Sequence, residues 1–272
     1  MPTTQTWWRL LRMPIVVLGV AYLGLVARAL LAADAMIHHP EMASRAAPPG
    51  MRLVRGPDGG EVAVLHLPNP AARHTLWFFH GNAESLGDLE PWLRQVREAG
   101  FAVFAWDYPG YGRSGGRPTE KSTYAAARVA RDYLRHELRV PADRTILFGR
   151  SLGSGPAVQM ATEERVGGLV VQGGFMSAFR VLTRWTILPW DQFRNLAKLP
   201  RVESPVLVMH GRQDEVIAFH HGESLFAAAR GPKRHLWVDG AHHNDFTEVA
   251  GEKFWQALRE FSELCGGGQT AR

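Results

Sequence analysis

The sequence predicts an α/β fold: a mostly parallel central sheet with helices on both faces. Three observations carry this. Runs such as Thr75 to Phe79 (TLWFF) and Thr145 to Phe148 (TILF) are continuously apolar, the pattern of strands buried on both faces. Segments with helical apolar spacing alternate with those runs, which requires crossovers and hence parallel pairing. Finally, 272 residues that are 46% hydrophobic and 21% charged can fill one large core, which excludes disordered and low-complexity classes.

The first forty residues stand outside that pattern. Met13 to Ala27 (MPIVVLGVAYLGLVA) carries no charge, Arg28 and ALLAA follow, and Trp7, Trp8, Arg9 and Arg12 precede it. Aromatic and basic residues at the edge of an apolar run suit a membrane interface. A single-pass or interfacial anchor is the favoured reading. The competitors are a cleaved secretory signal, with Ala33-Asp34-Ala35 as its site, and a helix packed on the following domain. Arg9 and Arg12 on one side against Arg28, Arg45, Arg52 and Arg55 on the other leave the side of the membrane open. Ala46 to Gly50, with Pro48 and Pro49, reads as a linker. The expected organisation is thus 1–46 anchor (or signal) and linker, 47–265 catalytic domain, and 266–272 tail.

From there the elements follow in order. Glu61 to Leu67 alternates like a strand and stops at Pro68; Thr75 to Phe79 is the next strand, ending in His80-Gly81-Asn82. Leu86 to Ala99 has helical spacing closed by Gly100. Phe101 to Trp106 is a strand, Asp107 to Gly112 a Pro/Gly loop, and Glu120 to Leu138 a helix. Thr145 to Phe148 is a strand leading into a small-residue helix over Gly153 to Thr162. Leu169 to Gln172, Val206 to His210 and His235 to Val238 are further strands, with helices at Leu225 to Arg230 and Asp245 to Leu264. Met176 to Arg201 is too long for a plain connection and is expected to form a cap-like insertion beside the site. Its Phe179, Trp185, Trp190 and Phe193 suit either an apolar acyl site or simple packing on the sheet.

In such sheets chemistry gathers beyond the carboxyl ends of the strands. G-x-S-x-G occurs twice, around Ser114 and around Ser151. Only Ser151 follows a strand directly and opens a helix, the context a strained nucleophile elbow needs, so Ser114 reads as a turn residue. A serine needs a histidine base and a carboxylate to orient it, here in the chain order Ser, acid, His. Asp214, in the turn after Val206 to His210, is the candidate acid, with Glu215 a solvated neighbour. Asp239 precedes the histidines too closely, and Asp107 lies before the elbow, out of order. Either His242 or His243 satisfies the base by residue type. Asp245 and Glu248 match a capping box for the last helix.

Taken together, FFHGNAES (78–85), DYPGYGRSGG (107–116), GRSLGSGPA (149–157), SPVLVMHGRQDEVI (204–217) and GAHHNDF (240–246) resemble the α/β-hydrolase-fold serine hydrolases. The resemblance is to the membrane-anchored, depalmitoylase-like α/β-hydrolase-domain branch, related to serine aminopeptidase and monoacylglycerol-lipase domains. It spans about 51–264, and an N-terminal apolar segment followed by Ile-His-His-Pro belongs to it. The resemblance implies hydrolysis of acyl esters or thioesters. It assigns the base to His243, the histidine before Asn-Asp, and leaves His242 where the family carries glycine. It also implies an oxyanion hole from the backbone N–H groups of Leu152 and Asn82, with His80 holding the turn. No cofactor or metal is expected: the His38-His39, His220-His221 and His242-His243 pairs lack ligand spacing. The expected partners are an ester substrate, small, lipid or acylated protein, and membrane lipids through the N-terminal segment. A net charge of +5, scattered rather than clustered, argues against nucleic acid as a partner, and the single cysteine, Cys265, allows no internal disulfide. The non-enzymatic alternative is an inactive binding module on the same fold, and the enzymatic alternative is a serine aminopeptidase-type peptidase.

Overall fold

The computed structural model describes residues 4–181, 183 and 188–266. These separate into two compact units, 1–38 and 39–272. The first is one helix, α1 (Thr4–Ile37), containing Pro14. Over Met13–Leu30 it is long and apolar enough to cross a membrane, and side chains such as Leu18 and Val20 are exposed.

The second unit is the predicted α/β architecture. Its eight strands are β1 (Arg52–Arg55), β2 (Glu61–Leu67), β3 (Thr75–Phe79), β4 (Ala102–Trp106), β5 (Thr145–Arg150), β6 (Gly168–Gln172), β7 (Val206–Gly211) and β8 (Lys233–Val238). They form one sheet in the order β1-β2-β4-β3-β5-β6-β7-β8. β2 runs antiparallel to both its neighbours and every other pairing is parallel. β1 was not anticipated. It is an edge strand of four residues, RLVR, whose burial pattern carries no alternation, so composition alone reads it as loop.

Helices α2 (Leu86–Glu98) and α8 (Glu252–Gly266) cover one face, where Leu89, Leu93, Phe254, Leu258 and Phe261 join Phe78, Phe148 and Val170 in a continuous core. Each fully buried aromatic of this kind contributes about 1.5–3 kcal/mol of transfer free energy. α2 starts at a capping box in which Ser85 and Asp88 satisfy each other's backbone N–H, and it stops at Gly100, whose φ of +104° only glycine adopts without strain. The opposite face carries α3 (Glu120–Asp132) and α4 (Ser154–Glu163). α3 ends earlier than expected, passing into a π-turn over Tyr133–Glu137. The helix predicted near 225–230 begins sooner, as α6 (His220–Ala228).

Two expectations near the C-terminus are corrected. The single helix over 245–264 is two, α7 (Phe246–Ala250) and α8, broken at Gly251 with φ +53°. The Asp245 side chain does not cap α7; its Oδ1 accepts the His242 N–H at 2.7 Å instead, so the capping box is absent. Cys265 lies in the last turn of α8. Burial pushes its thiol up to about 12, which leaves little thiolate.

Residues 39–46, expected to belong with the anchor and linker and not with the catalytic domain, make defined contacts within the α/β unit. The His39 N–H donates to Asn82 Oδ1 (2.9 Å) and Tyr111 Oη (3.0 Å), and the Ser44 N–H to Asp88 Oδ2 (3.0 Å). The segment after β6 leaves and returns at closed ends. The Ala178 N–H donates to Gln192 O at 2.9 Å, while Asp191 accepts from Ser177 Oγ (2.6 Å) and the Phe179 N–H (2.9 Å). The short helix α5 (Asn195–Lys198) follows.

Candidate active site

The strand–turn–helix at β5 and α4 places Ser151 above the carboxyl end of the sheet. Ser151 has φ +51°, a left-handed conformation strained for a residue with a Cβ. The flanking glycines make the turn possible. A Cβ at Gly149 would lie 2.7 Å from Gly153 O, and one at Gly153 would lie 2.1 Å from Phe79 O. Ser114 sits elsewhere and is spent on structure: its Oγ donates to Asp107 O (2.7 Å) and accepts the Ala63 N–H (2.9 Å), tying the 107–115 loop to β2.

Ser151, His243 and Asp214, although far apart in sequence, come together. Ser151 Oγ lies 2.9 Å from His243 Nε2, and His243 Nδ1 lies 2.8 Å from Asp214 Oδ2. Asp214 is held in turn by the N–H groups of Val216 (3.0 Å) and Ile217 (2.7 Å) on Oδ1. Burial would raise its carboxyl, but hydrogen bonds from His210 and His243 and the Ile217 N–H outweigh that and hold it well below the usual carboxylate range. A permanently ionised acceptor fixes the proton of His243 on Nδ1, leaving Nε2 free to take the serine proton. His242, by contrast, is exposed and pairs outward with Glu215 at 2.9 Å, which raises its pKa. Asp239 is also exposed, on Arg212 at 2.9 Å.

A cleft of about 310 Å³ opens at Ser151. Asn82, Glu84, Arg150, Gln172, Asn244 and Thr247 line it, with Val216 the one large apolar side chain among the described residues. Leu152 is the first residue after Ser151 in the turn Ser151–Gly153 that opens α4. Asn82 is positioned through its side chain, whose Oδ1 accepts from Tyr111 Oη at 2.6 Å as well as from His39. His80 lies beneath, fully buried, stacked on Tyr108 with centroids 3.8 Å apart; burial pushes it down to about 4, so it stays neutral and structural. Buried Asp107 accepts the Leu86 N–H at 2.7 Å, a structural task. Among the described residues no group of three His, Cys, Asp or Glu could hold a metal ion.

Among the described residues, the aromatics of the insertion do not line this cleft. Phe193 is fully buried against Gly155 and Tyr124 (centroids 5.7 Å), which is packing, and Phe179 meets Trp190 at 6.4 Å. Trp185 lies outside the described residues. Three contributors were not anticipated. Glu84 pairs with Arg150 and accepts the Gly81 N–H at 2.8 Å, so it joins the 80–82 turn to the residue preceding Ser151. Gln172 ends β6 beside the elbow. His210 touches Asp214. The available signal was positional: each of Arg150, Gln172 and His210 is a polar residue closing an apolar parallel strand, where such sheets place chemistry.

Residues 75–186 match the family model described as alpha/beta hydrolase fold. Alpha/beta hydrolase domain-containing protein aho-3 of Caenorhabditis elegans is 39% identical over 221 residues, covering 79% of this chain and 65% of that protein, so the chain spans just under two thirds of its length. Alpha/beta hydrolase domain-containing protein 17B of Homo sapiens is 35% identical over 214 residues, 77% of this chain and 73% of that one. Among solved structures, the Pyrococcus furiosus esterase Pf2001 superposes with a TM-score of 0.67 at 18% identity over 79% of this chain and 91% of that one. The Paleococcus ferrophilus monoacylglycerol lipase gives 0.61 at 20% identity over 76% and 100%. At these identities the structural likeness speaks to fold.

Proposed function

The chain belongs to the alpha/beta hydrolase family, among its alpha/beta hydrolase domain-containing proteins, and on that premise we propose that it is a serine hydrolase cleaving acyl ester or thioester bonds through Ser151, His243 and Asp214. The observation that carries this is the unbroken hydrogen-bonded chain from Ser151 through His243 to Asp214, set on a strained elbow. His243 takes the Ser151 proton as Oγ attacks the acyl carbonyl, and the carbonyl π electrons move onto oxygen. The N–H groups of Leu152 and Asn82 are the proposed donors to that oxyanion, the former at a helix N-terminus that favours negative charge. Collapse breaks the bond to the alcohol or thiol, which leaves with the proton held by His243. Water, deprotonated by the same imidazole, then releases the acid from the acyl-enzyme.

The relatives and neighbours named as hydrolases, esterases and a monoacylglycerol lipase support an ester-type substrate. The polar lining of the cleft fits the leaving-group end of such a substrate better than an alkyl chain. α1 is proposed to hold the enzyme at a membrane, a cleaved signal being the competing use of the same helix. The domain reading is then a catalytic unit that starts near His39. The test is reaction with a fluorophosphonate probe: Ser151→Ala abolishes labelling and Ser114→Ala, if folded, retains it. Labelling that survives Ser151→Ala refutes the assignment.

A further inference from the structure

Asp214 Oδ2 receives two imidazoles. Besides His243, the ring of His210 reaches it, with Nε2 3.2 Å from Asp214 Oδ2 and 2.7 Å from Ile217 O. His210 is completely buried at the end of β7, and its Nδ1 has no hydrogen-bond partner among the described residues. Gly222 of α6 closes over that nitrogen, since a Cβ there would come within 2.6 Å of Nδ1. Both acceptors lie at Nε2 and none at Nδ1, so the proton belongs on Nε2, where it bonds the Ile217 carbonyl at 2.7 Å with the carboxylate beside it at 3.2 Å.

We propose that His210 is a positioning residue that sets the strength of the Asp214–His243 interaction, and thereby the pH range over which His243 can act as base. The inference rests on the reading of the site as a serine hydrolase. The physical argument is competition at one oxygen. A carboxylate oxygen that donates electron density to two N–H groups holds each less strongly than it would hold one. Removing the His210 donor concentrates Asp214 on His243 and stabilises the imidazolium, so the base stays protonated to higher pH. His210 also ties the acid turn into a loop: the Ile217 carbonyl it bonds belongs to the residue whose N–H bonds Asp214 Oδ1. The same side chain therefore governs the direction in which Oδ2 points.

Other charged groups around this pair are already committed. His221 of α6 accepts the Met176 N–H at 3.1 Å, and burial, with His220, His210 and Arg180 as neighbours, pushes it down to about 4. On the solvent side Glu215 is paired with His242, whose N–H is taken by Asp245. Across the cleft Glu84 is paired with Arg150.

The test is the pH dependence of kcat/KM on a small soluble ester for His210→Phe and His210→Gln. Gln can place an N–H near the position of Nε2; Phe keeps the ring volume and removes the donor. We expect the acid limb of the Phe variant to move up by about half a pH unit or more, with kcat reduced several-fold and KM little changed, and the Gln variant to return toward wild type. If the Phe variant does not fold, His210→Asn replaces it, since its amide is too short to reach Asp214, and the same displacement is expected. An acid limb that coincides with wild type in a folded donor-free variant, or a Gln variant as displaced as Phe, overturns the proposal. Wild-type protein that neither turns over esters nor labels with a fluorophosphonate overturns the hydrolase reading itself, a separable result.

Discussion

Replacing Asp214 by asparagine changes one atom and puts a donor where two imidazole nitrogens now meet an acceptor. The asparagine oxygen can keep the Val216 and Ile217 N–H groups now bound at 3.0 and 2.7 Å. Its amide nitrogen then faces His243 Nδ1, 2.8 Å away in the native protein, and His210 Nε2 at 3.2 Å. Two donors cannot face each other, so His243 must turn Nδ1 into an acceptor and carry its proton on Nε2, against Ser151 Oγ. The base is then blocked at the atom where it acts. The expected loss in kcat is about four orders of magnitude, or about 5.5 kcal/mol in barrier, the scale seen when an orienting aspartate is replaced in this way. Stability should suffer far less, because only side-chain bonds to one carboxylate oxygen are lost: about 1–2 kcal/mol, lowering Tm by about 2–8 °C. The assay is kcat on a soluble ester, with circular dichroism and a thermal melt as controls. A folded Asp214→Asn enzyme within tenfold of wild type would refute the reasoning.

Further outcomes follow from the same geometry. His243→Ala should match Ser151→Ala in lost turnover, whereas His242→Ala, which removes only an exposed partner of Glu215, should cost little; equal losses in steady-state kinetics refute this. Phe193→Ala should lower stability by about 3–5 kcal/mol in a thermal melt while leaving the preference for acyl chain length intact, because its ring packs on Gly155 away from the cleft. Buried His74, His80 and His221 are each pushed down to about 4, so the unfolded chain binds their protons first and stability should fall as pH drops from about 6.5 to 4. Asp107, raised to about 7 chiefly by burial, opposes this over the same range, and a Tm that rises on acidification would mean it dominates. Deleting 1–38 should leave a soluble, active enzyme, and deleting 1–46 should impair turnover by removing the His39 N–H from Asn82; equal activity of the two refutes that link. The full chain should require detergent rather than salt for release from membranes.

The legible parts of this protein were those written in local pattern. Buried strands such as TLWFF announce themselves by composition, and the elbow by a strand running into G-x-S-x-G. β1 escaped because an exposed edge strand needs no apolar code. The break at Gly251 escaped because the apolar spacing continues across it. At the site, Ser151 and Asp214 follow from context, but the choice of His243 over its neighbour rested on resemblance. Only the three-dimensional placement, with one histidine turned inward to Asp214 and the other outward to Glu215, gives it a physical basis. Glu84 stayed hidden because its importance lies in what it touches across the turn, which no spacing rule encodes, whereas His210 and Gln172 were marked only by their place at strand ends, a signal that gives no partner.

The pinched ends of the segment after β6 bear on how much this stretch of the chain can vary. Ala178 and Gln192 are bonded to each other, Asp191 clasps Ser177, and Phe193 plugs the base. Everything between is a cassette whose two attachment points are already fixed together. Lengthening or replacing such a loop adds only a slowly growing closure entropy, about 0.6 kcal/mol for each doubling. Drift and recombination can therefore rewrite the cassette without disturbing the elbow or the acid turn. Chimeras that exchange 179–190 with the corresponding stretch of another family member should fold as readily as the parent and still turn over a small soluble ester, because the described residues of this stretch lie outside the lining of the Ser151 cleft.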